Sequence, residues 1–323
     1  MKFEELCNTL TKRGYDWHRE RIITHTRQNV QHIRHSIREI EPDAKPVLVV
    51  SAGPSLYKQN ILPRLRGRFS GTIIATDGAY VQCLKAGVIP DYVLTLDPHP
   101  TRMVRWFGDP DIERNMEGDD YFERQDLDVA FRENALATNA QNIALVNHWA
   151  AKTRFVVATT TPPAVVARLQ AIEAACFWFV PLVDAPQNET SLTRNMVRLT
   201  DLPAMNTGGT VGTAAWVFAH SILKSPLIGV VGMDMGYAMD TPFKETQSYN
   251  MLKDYPNLHE MYPHYTGPWG EAYTDPTYFW YRSNFLDLLK ANKARIVNAS
   301  EAGLLFGDDI LCTTLDQWLA YSS

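Results

Sequence analysis

PVLVVSAGPSLYKQNILPRLRGRFSGTIIATDGAYVQCLKAGVIPDYVLTLDP, running from Pro46 to Pro98, decides the fold. Within it Val47–Val50, Thr72–Ala75 and Tyr92–Leu96 are short, nearly continuous apolar runs, as expected of strands buried on both faces of a parallel sheet. Helical stretches separate them. The three runs lead into Ser51-Ala52-Gly53-Pro54-Ser55-Leu56, Thr76-Asp77-Gly78-Ala79 and Asp97-Pro98-His99. Small and acidic residues thus collect at the carboxyl edge, where open α/β sheets bind ligands. Gly53 allows a close-approach turn and Pro54 suits a first helical position, so the amides beside Ser55 could face a phosphate. The same stretch also fits a plain strand-to-helix turn, since it matches neither a P-loop nor a dinucleotide fingerprint.

Further along, the alternation continues. Arg154–Ala158 and Cys176–Val180 are strand-like, the first followed by a Pro162-Pro163 helix start and the second by Pro181 and Asp184. Asn206 to Trp216 is glycine-rich, with Gly208, Gly209 and Thr210 opening a helix that runs to about Leu223. A strand at Leu227–Gly232 then delivers Asp234 and Tyr237, and Arg295–Asn298 leaves through Ser300, Glu301 and Gly303. The fold expected is α/β: a Rossmann-like, mostly parallel sheet with helices on both faces. Asp97 and Asp234 are expected at one crevice, turn capping being the alternative for Asp234.

Two segments stand apart from this sheet domain, taken as 46–323. Residues 1–45 read as an N-terminal helical extension closed by Pro42 and Pro46. His18, His25 and His32 recur there every seven residues, about 10 Å apart along a helix and so too distant to share a metal. They read as a solvated basic face, able to dock on an acidic partner or another subunit. The second segment, 238–278, loses hydrophobic periodicity while Tyr249, Tyr255, Tyr262, His264, Tyr265, Trp269 and Tyr273 accumulate. Long stretches of this kind act as lids or binding loops, or else pack on their own aromatics. Thr101–Phe107 and Tyr281–Asn292 read as helices, Leu315–Ala320 as a short closing helix, and the acid-rich run from Gly108 to Asp120 as a solvated loop without EF-hand spacing.

Composition narrows the function classes. Net charge of -5 across 323 residues gives no nucleic-acid footprint, and 45% hydrophobic with 21% charged residues is ordinary for a globular chain. Cys7, Cys83, Cys176 and Cys312 are scattered without metal or disulfide spacing, which fits a reducing, cytoplasmic setting. MKFEELCNTL has no apolar signal core, and no run reaches the length of a membrane span.

Six motifs occur in one order: GPSL (53–56), TDGA (76–79), GVIPDYVLTLD (87–97), TGGTVGTAAWVFAHSI (207–222), IGVVGMDMGY (228–237) and VNASEAG (297–303). Together they resemble a family that joins motility accessory factor (Maf) glycosyltransferases to 6-hydroxymethylpterin diphosphokinase MptE-like proteins, with a sheet domain similar to bacterial sialyltransferases. The resemblance covers about Pro46 to Phe306. It implies a nucleotide-dependent transferase that uses a CMP-activated nonulosonic, sialic-acid-like sugar and a protein or glycan acceptor, or else ATP in the pterin branch. The pterin kinases carry DLDG and HGDN segments that this chain lacks, which favours the glycosyltransferase branch. Against the sialyltransferases, Ala52 and Asp77 stand where asparagines are usual.

In those transferases a lid histidine near a tyrosine-glycine segment is the general base, and the similar stretch here is Tyr262-Pro263-His264-Tyr265-Thr266-Gly267. The resemblance therefore implies direct displacement: His264 deprotonates the acceptor hydroxyl, and the nucleotide phosphate leaves into the Gly53 and Gly208-Gly209 loops. His99, held at a strand end, is the competing base. Asp97 or Asp234 could bind ribose, sugar hydroxyls or a Mg²⁺; no metal ligand set is assigned. Nucleotide or substrate contacts are expected from Gly53, Ser55, Asp77, Gly208, Gly209, Thr210, Tyr237, Tyr262, Tyr265, Ser300 and Glu301. A non-catalytic nucleotide- or glycan-binding accessory protein is the alternative class.

Overall fold

The computed structural model describes residues 3–101, 103–117, 129–252 and 257–322. Gly118 to Asp120 of the acid-rich loop, and Tyr255, lie outside the described residues. The strands are β1 (His35–Ser36), β2 (Val47–Val50), β3 (Thr72–Thr76), β4 (Tyr92–Thr95), β5 (Arg154–Ala158), β6 (Ala175–Pro181), β7 (Ala204–Met205), β8 (Ile228–Val231), β9 (Tyr237–Ala238), β10 (His264–Gly267), β11 (Gly270–Tyr273), β12 (Ile296–Asn298) and β13 (Ile310–Cys312). Ten of them form one sheet in the order β1-β6-β5-β4-β3-β2-β8-β12-β13, with β7 also paired to β6. Every pairing in it is parallel.

The stretch β4-β3-β2-β8-β12-β13 is the doubly wound order, and its direction reverses between β2 and β8. Residues along β2 alternate between two cores. Leu48 and Val50 pack with Leu56, Tyr80, Phe155 and Trp318 on one face, while Val47 and Val49 pack with Trp216, Phe218 and Phe285 on the other. All four have no exposed surface, which at roughly 2 kcal/mol for each fully buried side chain anchors the centre of the sheet. Gly229 in β8 leaves the space that the Trp318 ring fills, since a Cβ there would stand 2.7 Å from it.

Several sequence readings change. Residues 264–273 are not structureless: β10, β11 and β9 form a three-stranded antiparallel sheet, and Tyr237, Tyr262 and Tyr273 make a small core with Leu6, Leu10 and Leu252. Helical periodicity fails there because the apolar contacts are tyrosine rings reaching across a hairpin. The helix expected from Tyr281 begins at Pro276, N-capped by Asp275, and runs to Asn292. The helix to Leu223 is α-helical over Val211–Val217 and turns to a π-helix over Phe218–Ile222. Met103–Phe107 is a 3₁₀ helix, and Val129–Trp149 forms a long helix the sequence reading passed over.

The histidine face is also revised. Phe3–Asn29 is one helix whose C-terminal half docks on the exit of β5. His25 Nδ1 donates to Thr160 O at 3.0 Å, and Asn29 donates to Thr159 O and Thr161 O at 2.9 and 2.8 Å. His25 is buried, and its burial lowers its pKa, so it is no solvated cation. His35 lies in β1, which adds an edge strand beside β6.

Candidate functional site

The crevice between β2 and β8 is where a doubly wound sheet binds its ligand, and here the chain fills it. The amide of Ser55 donates to Asp234 Oδ2 at 2.8 Å and its hydroxyl donates to Oδ1, so the carboxylate occupies the helix N-terminus expected to face a phosphate. Gly53 donates to Gly232 O at 2.8 Å. Burial pushes the Asp234 pKa up, against the two Ser55 hydrogen bonds that pull it down. Gly53, Ser55 and Asp234 are thus brought together as a latch between two loops.

One strand over, Asp77 begins the helix Asp77–Lys85 at the end of β3. Its carboxylate accepts from Thr95 Oγ1 at 2.8 Å and from the Gly78 amide at 2.7 Å. Burial raises its pKa to about 7, with the nearby Asp97 charge adding to the shift. Asp97 accepts from the His99 amide at 2.8 Å, an Asx turn that holds the Pro98 loop. Ser300 is fully buried below the edge, and Glu301 accepts from Arg64 at 2.8 Å and from the Leu315 amide at 2.7 Å. Those contacts fasten the closing helix Leu315–Ser322.

A cavity of about 770 Å³ opens on the other side of the edge. Gly208, Gly209 and Pro98 form its floor. Its walls are the N-terminal helix, through residues including Gly14, Tyr15 and His18, and the helix Pro276–Asn292, through residues including Trp280, Tyr281 and Asn284. Gly208 and Gly209 take φ of +62° and +101°, and Gly208 donates to Asn206 Oδ1 at 2.9 Å. Thr210 caps the following helix by accepting from the Thr213 amide at 3.0 Å. Among the described hydrogen bonds none involves the amide of Gly209, which lines the cavity, or those of Val211 and Gly212, the open donors of the helix start, which do not line it. Gly212 in turn abuts Ser51, so this loop and the β2 exit are neighbours.

The aromatic segment sits behind these walls. Buried Asp275 accepts from the Ser248 amide at 2.7 Å, the Tyr237 hydroxyl at 3.1 Å and the Tyr278 amide at 2.8 Å, joining the hairpin region to the helix that walls the cavity. Tyr262 is buried, and burial raises the pKa of its hydroxyl. Tyr265 lies under the guanidinium of Arg282, 5.6 Å from its ring centre. His264 is exposed on β10 with its ring 6.0 Å from that of Tyr273, and it does not line the cavity.

The structure therefore brings Gly208, Gly209 and Pro98 to one space, groups Asp77 with Asp97, and gathers Tyr237, Tyr262 and Tyr265 outside it. The sequence reading missed Gly14, Tyr15, His18, Trp280 and Asn284. Their signal was the spacing Cys7, Leu10, Gly14, His18, Ile22, one stripe along a helix that faces a second helix. Among the described residues no group of three His, Cys, Asp or Glu side chains could hold a metal ion, and no helix is long and apolar enough to cross a membrane.

Comparison with other proteins falls on the same ground. Residues 20–112 match the family described as 6-hydroxymethylpterin diphosphokinase MptE-like. A solved structure, that of the MAf glycosyltransferase from Magnetospirillum magneticum AMB-1, superposes with a TM-score of 0.54 at 14% identity. The superposition takes in 91% of this chain but only 37% of that one, and at this identity it speaks for the fold. No curated protein matches the chain in sequence. The likeness to MptE-like and Maf proteins read from the six motifs is borne out by both comparisons.

Proposed function

We propose that this chain is a transferase of the glycosyltransferase kind, binding a nucleotide-activated sugar at the carboxyl edge and passing the sugar to an acceptor hydroxyl. One observation carries the reading: a cavity of about 770 Å³ lies where a Gly-Gly turn opens a helix, between aromatic side chains and neutral polar ones. Its size lies within the usual 300–1,000 Å³ of small-molecule sites. The Gly209 amide, in the turn that lines the cavity, is suited to the leaving phosphate, and Trp280 and Tyr281 to stacking on a base or ring. The Gly53 loop is unsuited, because Asp234 already takes its donors.

On this reading the acceptor oxygen attacks the anomeric carbon, the bond from that carbon to the phosphate oxygen breaks, and the nucleotide leaves with the electron pair. The hydroxyl proton passes to an imidazole. His18, which lines the cavity, replaces exposed His264 as the candidate base. The CMP-linked nonulosonic donor of the sequence reading is kept as the finer form of the proposal. The match of residues 20–112 supports a second reading, an ATP-dependent diphosphokinase.

Thermal shifts with CMP, CDP, UDP, GDP and ATP, each with and without Mg²⁺, separate the two, since a ligand that binds the folded state raises its melting temperature. Stabilisation by CMP alone supports the sugar transferase. A response to ATP that needs Mg²⁺ moves the assignment to the kinase, and no response to any nucleotide ends both.

A further inference from the structure

We infer that the cavity wall made by the N-terminal helix is the acceptor subsite, and that it takes an uncharged, hydroxyl-rich sugar ring whose size is set by Gly14. The inference rests on the transferase reading above. Gly14 stands in the middle of the 27-residue helix Phe3–Asn29, where glycine is a poor choice. Nothing local requires it. A Cβ at Gly14 would meet no atom within 4 Å, whereas at Gly53, Gly208, Gly209 and Gly212 it would strike a neighbour at under 3 Å. Gly14 lines the cavity, with open space where its side chain would stand.

The surroundings give the chemistry. Tyr15 and Trp280 line the cavity with aromatic side chains, which suit the C–H face of a sugar, and Asn284 lines it with an amide that both donates to and accepts from hydroxyls. Among the described residues no Lys or Arg lines this cavity, and Asp287 lies at its exposed rim, so the wall lacks a counter-charge for an anion. The phosphate of the donor therefore belongs at the Gly208-Gly209 turn and the neutral ring at the helix. His18 follows Gly14 by one helical turn on the same face, which sets its imidazole beside a ring seated against Gly14.

Saturation-transfer NMR on the intact protein tests this with galactose, glucose and N-acetylglucosamine, each with and without CMP, and with cytidine as a separate arm. The parent should transfer saturation to at least one sugar. Gly14→Leu should lose that transfer while keeping the CMP-induced thermal shift, and Gly14→Ala should fall between the two. Leu favours a helix over Gly, so Gly14→Leu is expected to fold; Asn284→Ala, on the facing helix, repeats the test from the other wall and should weaken sugar transfer alone. The inference is overturned if CMP binds but no sugar does, if Gly14→Leu leaves sugar transfer unchanged, or if Gly14→Leu loses cytidine, which would make this the donor wall. A parent that binds neither CMP nor sugar removes the transferase reading as well.

Discussion

Gly53→Ala separates a binding loop from a structural latch. In the structure a Cβ on Gly53 would press into the carbonyl oxygen of Gly232 and stand 2.9 Å from Cγ and Oδ2 of Asp234. The first obstacle is backbone and the second a buried carboxylate held by Ser55, so neither can swing aside. Overpacking of this kind costs about 1–3 kcal/mol, and loss of the Gly53 N to Gly232 O bond a further 0.5–1.5 or so, about 1.5–4.5 kcal/mol together. For a chain of 323 residues that lowers the melting temperature by roughly 2–7 °C. Gly67→Ala is the control: its φ is +68° but nothing lies within 4 Å, so only backbone strain of about 1 kcal/mol is expected. Urea unfolding of parent and both variants reads the difference directly. If Gly53→Ala unfolds within about 0.5 kcal/mol of the parent yet no longer responds to nucleotide, Gly53 is a ligand loop and the latch argument fails.

Three further outcomes follow from the site. His18→Ala should lower turnover by about 10²- to 10⁴-fold with donor affinity retained, while His264→Ala should retain turnover; the reverse pattern in a donor-consumption assay returns the base to the hairpin. Gly209→Val sets a branched side chain at φ +101° against Trp280 and Tyr281, so the nucleotide-induced thermal shift should vanish; a full shift would exclude this turn from the donor site. Asp77 keeps its proton in the folded state up to about pH 7 and loses it near pH 4 when unfolded. Folded protein thus binds more protons between those values, and stability falls as pH rises from about 4 to 7, by at most about 4 kcal/mol, then levels off. Buried Asp234 and Asp275, both shifted upward, add slopes of the same sign. Asp77→Asn should flatten the profile measured by urea unfolding at pH 5, 6 and 7; an unchanged slope would remove Asp77 as a source.

The central sheet was legible because β2, β3, β4, β5 and β8 are buried on both faces and leave no polar alternation to confuse their period. The latch was half legible. A carboxylate at the end of β8 and an open helix start after β2 were both visible, but 179 residues separate Ser55 from Asp234, and only the pairing of β2 with β8 brings them together. The N-terminal helix misled for a physical reason. Thr26 and Asn29 look like solvent-facing polar residues, yet they satisfy the backbone and hydroxyl of Thr159 to Thr161 at the end of β5. Buried polar groups that bond to distant backbone leave no periodic trace. The hairpin at 264–273 was hidden by tyrosines, whose hydroxyls read as surface while their rings form a core.

The strand order also governs how the molecule must be made. β2 is synthesised early and ends in the middle of the sheet, with β3 able to cover one of its sides at once. Its other side waits for β8, which emerges only after every strand from β3 to β7. At about 5–20 residues per second of synthesis that wait is on the order of ten seconds or more. Throughout it Val47-Leu48-Val49-Val50 presents an open, wholly apolar edge, the kind that pairs with stray chains. A nascent chain halted before Ile228 should therefore be a substrate for chaperones that hold extended apolar segments, and should lose that dependence once β8 has docked.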